Sequence, residues 1–196
     1  MSLFKLRSKT KTQPSENENT LKEFFFYHHG DGMSMDRDDP QKYKQYRSMK
    51  KDTVEQWHQE LIVESFKSLA KNIETAWSII GRLIRLISSS HSLVEDNFKK
   101  LLVQIIEISP TLDKRQKILI LEHFAGRTSS QKDGGIYLIQ SKTNLKELIK
   151  TVVNTLSNFT CNESDNLSEV GWENIQQRYE CAKINIQSAF QKFNID

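Results

Sequence analysis

The sequence contains little cysteine, proline or glycine. Of its 196 residues, two are cysteine, three are proline and seven are glycine. Cys161 and Cys181 are too far apart in the chain to form a zinc knuckle, and no basic-then-apolar leader opens the sequence. We therefore expect a reducing location, in the cytoplasm or the nucleus, peripheral to a membrane at most, and not secretion.

Long apolar runs are also missing. The longest apolar-rich stretch, AWSIIGRLIRLI at 76–87, contains Arg82 and Arg85. A membrane-spanning helix needs about 20 predominantly apolar residues, so this stretch predicts a buried helix and not a transmembrane span.

Apolar residues recur at steps of three and four from residue 52 onward, which is typical of amphipathic helices. The spacing predicts a long helix over 53–88, a second after Ser92, a third from Ser109-Pro110 to Phe124, a fourth over 145–159, and a fifth near the end. The fifth helix has an apolar seam, which predicts either internal packing or self-association: Trp172, Ile175, Tyr179, Ala182, Ile186, Ala189 and Phe193. The segment IYLIQ at 136–140 is interpreted as an extended lead-in, because no partner strand is evident.

These patterns predict an all-α protein, an irregular bundle of about five helices with a flexible basic N-terminal arm. Residues 1–20 are predicted to be a disordered basic and polar arm, 21–51 an aromatic-acidic and then basic docking segment, and 52–196 the bundle. Residues 1–51 hold 11 Lys and Arg against 7 Asp and Glu, whereas 52–196 hold 17 against 18. The positive charge is thus an N-terminal property.

Catalytic patterns are weak. Glu55 and His58 have the spacing of a di-metal helix ligand pair, but no second E-x-x-H exists, so we interpret them as part of a solvated helix face. Cys181 is expected to be a partly buried structural thiol, and no glycine-rich phosphate loop is present. We predict a protein that is not an enzyme and has no metal and no cofactor.

The stretch FFFYHHGDGMSMDRDDP at 24–40 combines aromatic, histidine and aspartate residues, which raises the question of a metal site. Adjacent histidines diverge on any regular element, and no zinc or EF-hand spacing is present. We interpret the aspartates as a solvated turn. The aromatic residues are predicted to be a buried anchor, with a partner-binding strip as the alternative: Phe24, Phe25, Phe26 and Tyr27.

Two basic segments are candidates for contact with an acidic surface. The segment at 41–51 offers five cations, with Tyr43 and Tyr46 as candidate base stackers: Lys42, Lys44, Arg47, Lys50 and Lys51. The extreme N-terminus, MSLFKLRSKTK, interleaves apolar residues with four cations that suit anionic headgroups: Lys5, Arg7, Lys9 and Lys11. The simpler interpretation is a solvated basic run and an ordinary chain terminus.

The opening MSLFKLRSKTK, followed by a polar stretch with Pro14 and a compact body, resembles the layout of small matrix and accessory proteins of negative-strand RNA viruses. The resemblance implies peripheral membrane attachment, self-association and contact with a ribonucleoprotein or host factor. No PPxY motif is present and no functional residue is carried across.

Taken together, we expect a non-enzymatic interaction protein with a protein partner, whose basic arm docks on an anionic membrane or a ribonucleoprotein. An RNA- or DNA-binding regulator is the first alternative, and a metal-dependent enzyme is the second.

Overall fold

A computed structural model describes residues 16–31, 35–89, 94–125, 135–136, 145–159 and 172–195. Every regular element in these ranges is an α- or 3₁₀-helix, so the predicted all-α class is confirmed. The chain divides into two compact units, Met1–Lys50 (unit 1) and Lys51–Asp196 (unit 2). No helix in the described ranges is both long and apolar enough to cross a bilayer.

Unit 1 contains α1 (Glu16–Asp31), α2 (Met35–Asp38) and α3 (Pro40–Arg47). The prediction of disorder up to residue 20 was wrong for its last five residues, since α1 begins at Glu16. Leu21, Phe24, Phe25 and His28 are buried at steps of three, one and three, which places them on one helical face. Burial of that face offsets the cost of ordering the polar first turn.

Unit 2 contains six α-helices among its described residues, one more than predicted for this region. They are α4 (Lys51–Lys71), α5 (Ala76–Ser89), α6 (Val94–Ile108), α7 (Lys114–Ala125), α8 (Lys146–Ser157) and α9 (Trp172–Phe193). In the core, α7 contacts α5, α8 and α9, and α6 contacts α5 and α8.

The predicted single helix over 53–88 was wrong, because it breaks at Asn72. The backbone of Asn72 leaves helical values, with φ −123° and ψ 75°, and a 3₁₀ turn at Ile73–Thr75 follows. The side-chain amide of Asn72 donates to the Ser68 carbonyl over 3.2 Å. Asparagine competes for backbone hydrogen bonds in this way, and the apolar spacing that continues through residue 73 conceals the break.

The start of α7 also differs from the prediction. Ser109-Pro110 forms a 3₁₀ turn that ends at Thr111, and α7 begins at Lys114. Asp113 is the residue that caps α7: its carboxylate accepts from the Gln116 amide over 2.7 Å, and the Gln116 side chain accepts from the Asp113 amide over 3.0 Å. This reciprocal pair is a capping box.

The burial of α7 extends around the helix. Ile118, Leu119, Ile120 and Leu121 are consecutive and all buried. Because a helix turns once in 3.6 residues, four consecutive positions point in every direction around the axis. Neighbouring helices must therefore cover α7 on several sides, as α5, α8 and α9 do.

Polar contacts hold α9 at both ends of its packed length. The Arg178 guanidinium makes a two-pronged ion pair with Glu122 of α7, with Nε donating over 2.6 Å. Near the other end, Lys146 Nζ donates to the Phe193 carbonyl over 2.6 Å. Asn194 then takes a left-handed conformation, φ 52°, that ends the helix and allows Ile195 to be buried.

Two expectations for single side chains were wrong. His58 is 4% exposed, not solvated, and its Nδ1 donates to the Val54 carbonyl over 3.0 Å. It lies on the buried face of α4, between Trp57 and Leu61. Cys181 is an exposed free thiol, although its neighbour Ala182 is buried.

Gly81 allows α5 and α7 to approach closely, which leads to a stability prediction. A Cβ at Gly81 would overlap the imidazole of His123, which is stacked on Trp77 at 6.5 Å between ring centroids. We expect Gly81→Ala to lower the free energy of unfolding by about 1–3 kcal/mol, measured by urea denaturation of the full chain.

The matched background is His123→Ala, which removes the overlapping ring. There, Gly81→Ala should stabilise the protein by roughly 0.5–1 kcal/mol, because alanine favours a helix over glycine. The same loss in both backgrounds would contradict the close-approach explanation.

Candidate polyanion-binding face

The inner side of unit 1 is built from α1 and α3, which contact each other. Phe25 of α1 is fully buried and its ring lies 5.7 Å from that of Tyr46 of α3. The Tyr43 ring is 6.4 Å from Tyr46 and nearly parallel to it. Aromatic packing at these separations contributes about 0.5–1.5 kcal/mol for each pair beyond the area it buries. The Phe25–Tyr46 pair therefore joins α3 to α1, and Tyr43 packs on Tyr46 within α3.

Asp39 positions the start of α3. Its carboxylate accepts from the backbone amides of Gln41 over 3.1 Å and Lys42 over 2.9 Å, and Pro40 occupies the first helical position. The amide of Lys42, followed by the ammonium of the same residue, holds the pKa of Asp39 below its usual 3.8. A charged carboxylate is also favoured by the positive end of the helix dipole.

Lys42 is held on the inner side of α3. Its ammonium lies 3.4 Å from the Asp39 carboxylate and 5.6 Å from the centre of the Phe24 ring. Burial raises the pKa of Tyr46, against the opposing charge of Arg47. Both residues were predicted to contact a ligand, and both are engaged by unit 1 itself.

The outer side of α3 carries the exposed cations. Lys44 and Arg47, three residues apart, share one helical face and are exposed, and Lys50 is exposed just beyond the helix. Within the described residues neither Lys44 nor Arg47 forms an ion pair, and residues 40–51 contain no acid. We call Lys44 and Arg47 the basic face. It presents two uncompensated positive charges to solvent.

The aromatic strip, Phe24 to Tyr27, is partly buried in the protein and partly exposed to solvent. Phe24 and Phe25 are covered by this chain, Phe26 is half-buried beneath the Lys22 ammonium at 5.4 Å, and Tyr27 is 54% exposed. Exposure therefore rises from Phe24 and Phe25 to Tyr27, because successive residues of a helix point in different directions.

The predicted solvated turn was wrong in its backbone: Asp38 belongs to α2 and Asp39 caps α3, although the Asp38 side chain is half exposed. Asp38 ends α2, and its carboxylate lies 3.1 Å from Nε2 of His28, which is buried. The His28 ring also packs edge-on against Phe24, 4.4 Å away. In the described part of the chain, no group of three or more His, Cys, Asp or Glu side chains is arranged to hold a metal ion.

Other predicted residues lie elsewhere. The four cations of the N-terminal arm, Lys5, Arg7, Lys9 and Lys11, are outside the described residues. Lys51 is exposed, but begins α4 of unit 2. In the seam of α9, Ala182, Ile186 and Ala189 are buried in unit 2, and the side chains of Trp172 and Ile175 are not described.

Two contacts that shape unit 1 were not predicted from the sequence: the Asp39 cap and the His28–Asp38 contact. Asp39-Pro40 is a recognisable start signal, a capping residue followed by proline at the first helical position. The steps from Leu21 to His28 would have placed the histidine on the buried face. Nothing in the sequence indicates that Asp38, ten residues further on, is the partner of His28.

Comparisons with protein-family models, characterised proteins and solved structures found no match to this chain. Function must therefore be argued from the site itself.

The Asp39 cap predicts a pH dependence for α3. Its pKa is lowered by folding, so its stabilising contribution is fully present above 3.8 and is lost as the pH falls through the lowered value. We expect the Cα chemical shifts of residues 40–47 to lose helical character in Asp39→Ala at neutral pH.

Asp39→Asn is the matched control, because asparagine caps equally well and does not titrate. It should retain the helical shifts at neutral pH and show a smaller loss than the natural chain on acidification. Equal acid sensitivity in the two proteins would show that Asp39 does not govern α3.

Proposed function

We propose that this protein is a non-enzymatic helical interaction protein that docks on an anionic membrane surface through α3 and the basic N-terminal arm. The observation that carries the proposal is the separation of side chains on α3. Tyr46 packs against Phe25 and Lys42 pairs with Asp39, whereas Lys44 and Arg47 are exposed with no acid in residues 40–51.

The packing of the tyrosines favours a membrane over single-stranded RNA. Sequence-tolerant binding of single strands relies on aromatic rings that are open to stacking bases. The Tyr46 ring is half-buried and packs against Phe25, and burial raises its pKa, so part of its surface is already covered. What remains on α3 are point charges, which suit headgroups.

The expected affinity is low, and it is the sum of small free-energy contributions from individual cations. Each Lys or Arg near an anionic leaflet contributes about 1 kcal/mol. Lys44, Arg47 and Lys50 supply three such charges, and Lys5, Arg7, Lys9 and Lys11 supply four more beside the apolar Leu3, Phe4 and Leu6. Several weak contacts of this kind produce reversible attachment that salt weakens.

The test is co-sedimentation of the full chain with vesicles that contain one third phosphatidylserine in phosphatidylcholine. Lys44→Gln combined with Arg47→Gln should lower the partition coefficient by roughly thirtyfold, the equivalent of about 2 kcal/mol. Deletion of residues 1–12 should abolish measurable binding and leave the helical circular dichroism unchanged.

Lys67→Gln combined with Arg115→Gln is the matched control, because it removes one lysine and one arginine that are exposed in unit 2. It should leave most of the binding intact. Equal losses in both double variants would contradict docking through α3. A loss of RNA affinity and of its salt dependence, with vesicle binding unchanged, would support the nucleic-acid alternative instead.

A further inference from the structure

A cleft opens in unit 2 where α7, α8 and α9 meet. Its volume is about 250 Å³. Apolar side chains from all three helices line it: Leu121, Val153, Ile186 and Phe190. Ligand sites in proteins are commonly apolar concavities between helices with a few polar groups that fix orientation.

The charge of the cleft is carried by one group. Lys183 of α9 is exposed and is the single charged residue among the described residues that line the cleft, beside the neutral Asn154 and Gln187. Arg178, five residues before Lys183, forms an ion pair with Glu122, so its charge is compensated within unit 2. Within the described part of the chain no carboxylate pairs with Lys183.

An apolar cavity with one cation at its polar side is complementary to a molecule with an apolar chain and one negative end. A dry cavity of roughly 150 Å³ holds benzene, so 250 Å³ suits a chain of about ten carbon atoms. We propose that this cleft binds a medium-chain carboxylate, with the alkyl chain against Leu121 and Ile186 and the carboxylate beside Lys183.

The walls of the cleft are held in place without the ligand. Tyr179, which also lines it, packs against Phe159 with ring centroids 5.2 Å apart. The Arg178–Glu122 pair joins α9 to α7 one residue away from Tyr179 and Leu121. The cleft lies within unit 2, and its ligand is independent of the docking proposed for α3.

Isothermal titration calorimetry of the full chain with hexanoate, octanoate, decanoate and dodecanoate tests the proposal. Each methylene buried should tighten binding about fourfold, so decanoate should bind roughly fifteenfold more tightly than octanoate. Dodecanoate should bring no further step, because the cleft is filled at about ten carbons. If dodecanoate bound about fifteenfold more tightly than decanoate, a site of fixed depth would be overturned. The absence of saturable binding would overturn the proposal as well.

The role of Lys183 is tested separately. Lys183→Met should weaken decanoate about threefold to fivefold and leave decanol unchanged, whereas Lys99→Met, an exposed lysine on α6, should alter neither. Equal effects of the two lysine variants would overturn the assignment. A loss of decanoate binding in Lys44→Gln with Arg47→Gln, with Lys183→Met unaffected, would place the ligand on α3 and also overturn it.

Discussion

Burial of the middle of α7 on every side, from Ile118 to Leu121, is the constraint on which the arrangement of unit 2 depends. These four consecutive buried residues cannot be covered by one neighbour, since a helical turn that is apolar all round must be enclosed. Helices far apart in the sequence therefore pack around it. Helix α5 approaches α7 closely at Gly81, and the Arg178–Glu122 pair joins α9 to α7. The cleft beside Lys183 lies among α7, α8 and α9, so it is a consequence of the same arrangement.

In unit 1, packing determines which cations of α3 are exposed. Phe25 on the buried face of α1 packs against Tyr46 of α3, and the Asp39 cap sets where α3 begins. Rotation of the helix by 100° per residue then leaves Lys44 and Arg47 pointing away from that packing. The sequence spreads positive charge evenly along residues 41–51. In the structure Lys42 pairs with Asp39, whereas Lys44 and Arg47 remain exposed.

Much of the fold could be predicted from periodicity, because α6, α8 and α9 repeat their apolar residues at steps of three and four. The break at Asn72 could not be predicted in this way, because the apolar periodicity continues across it. The start of α1 could not be predicted either, because its aromatic run follows a polar stretch that is typical of disorder. The candidate site was predictable as a charged segment and not as a surface. Which cations are exposed depends on contacts such as Lys42 with Phe24, and the cleft depends on three helices from distant parts of the chain.

The central claim is that α3 meets an anionic membrane with its exposed cations while unit 2 remains folded as it is. Hydrogen exchange of the full chain, followed by mass spectrometry with and without phosphatidylserine vesicles, tests it most directly. We expect added protection in peptides that cover residues 40–50 and no change in the middle of α7, residues 118–121, which is already enclosed. Vesicle binding with protection confined to residues 177–191, or with no change in α3, would contradict it.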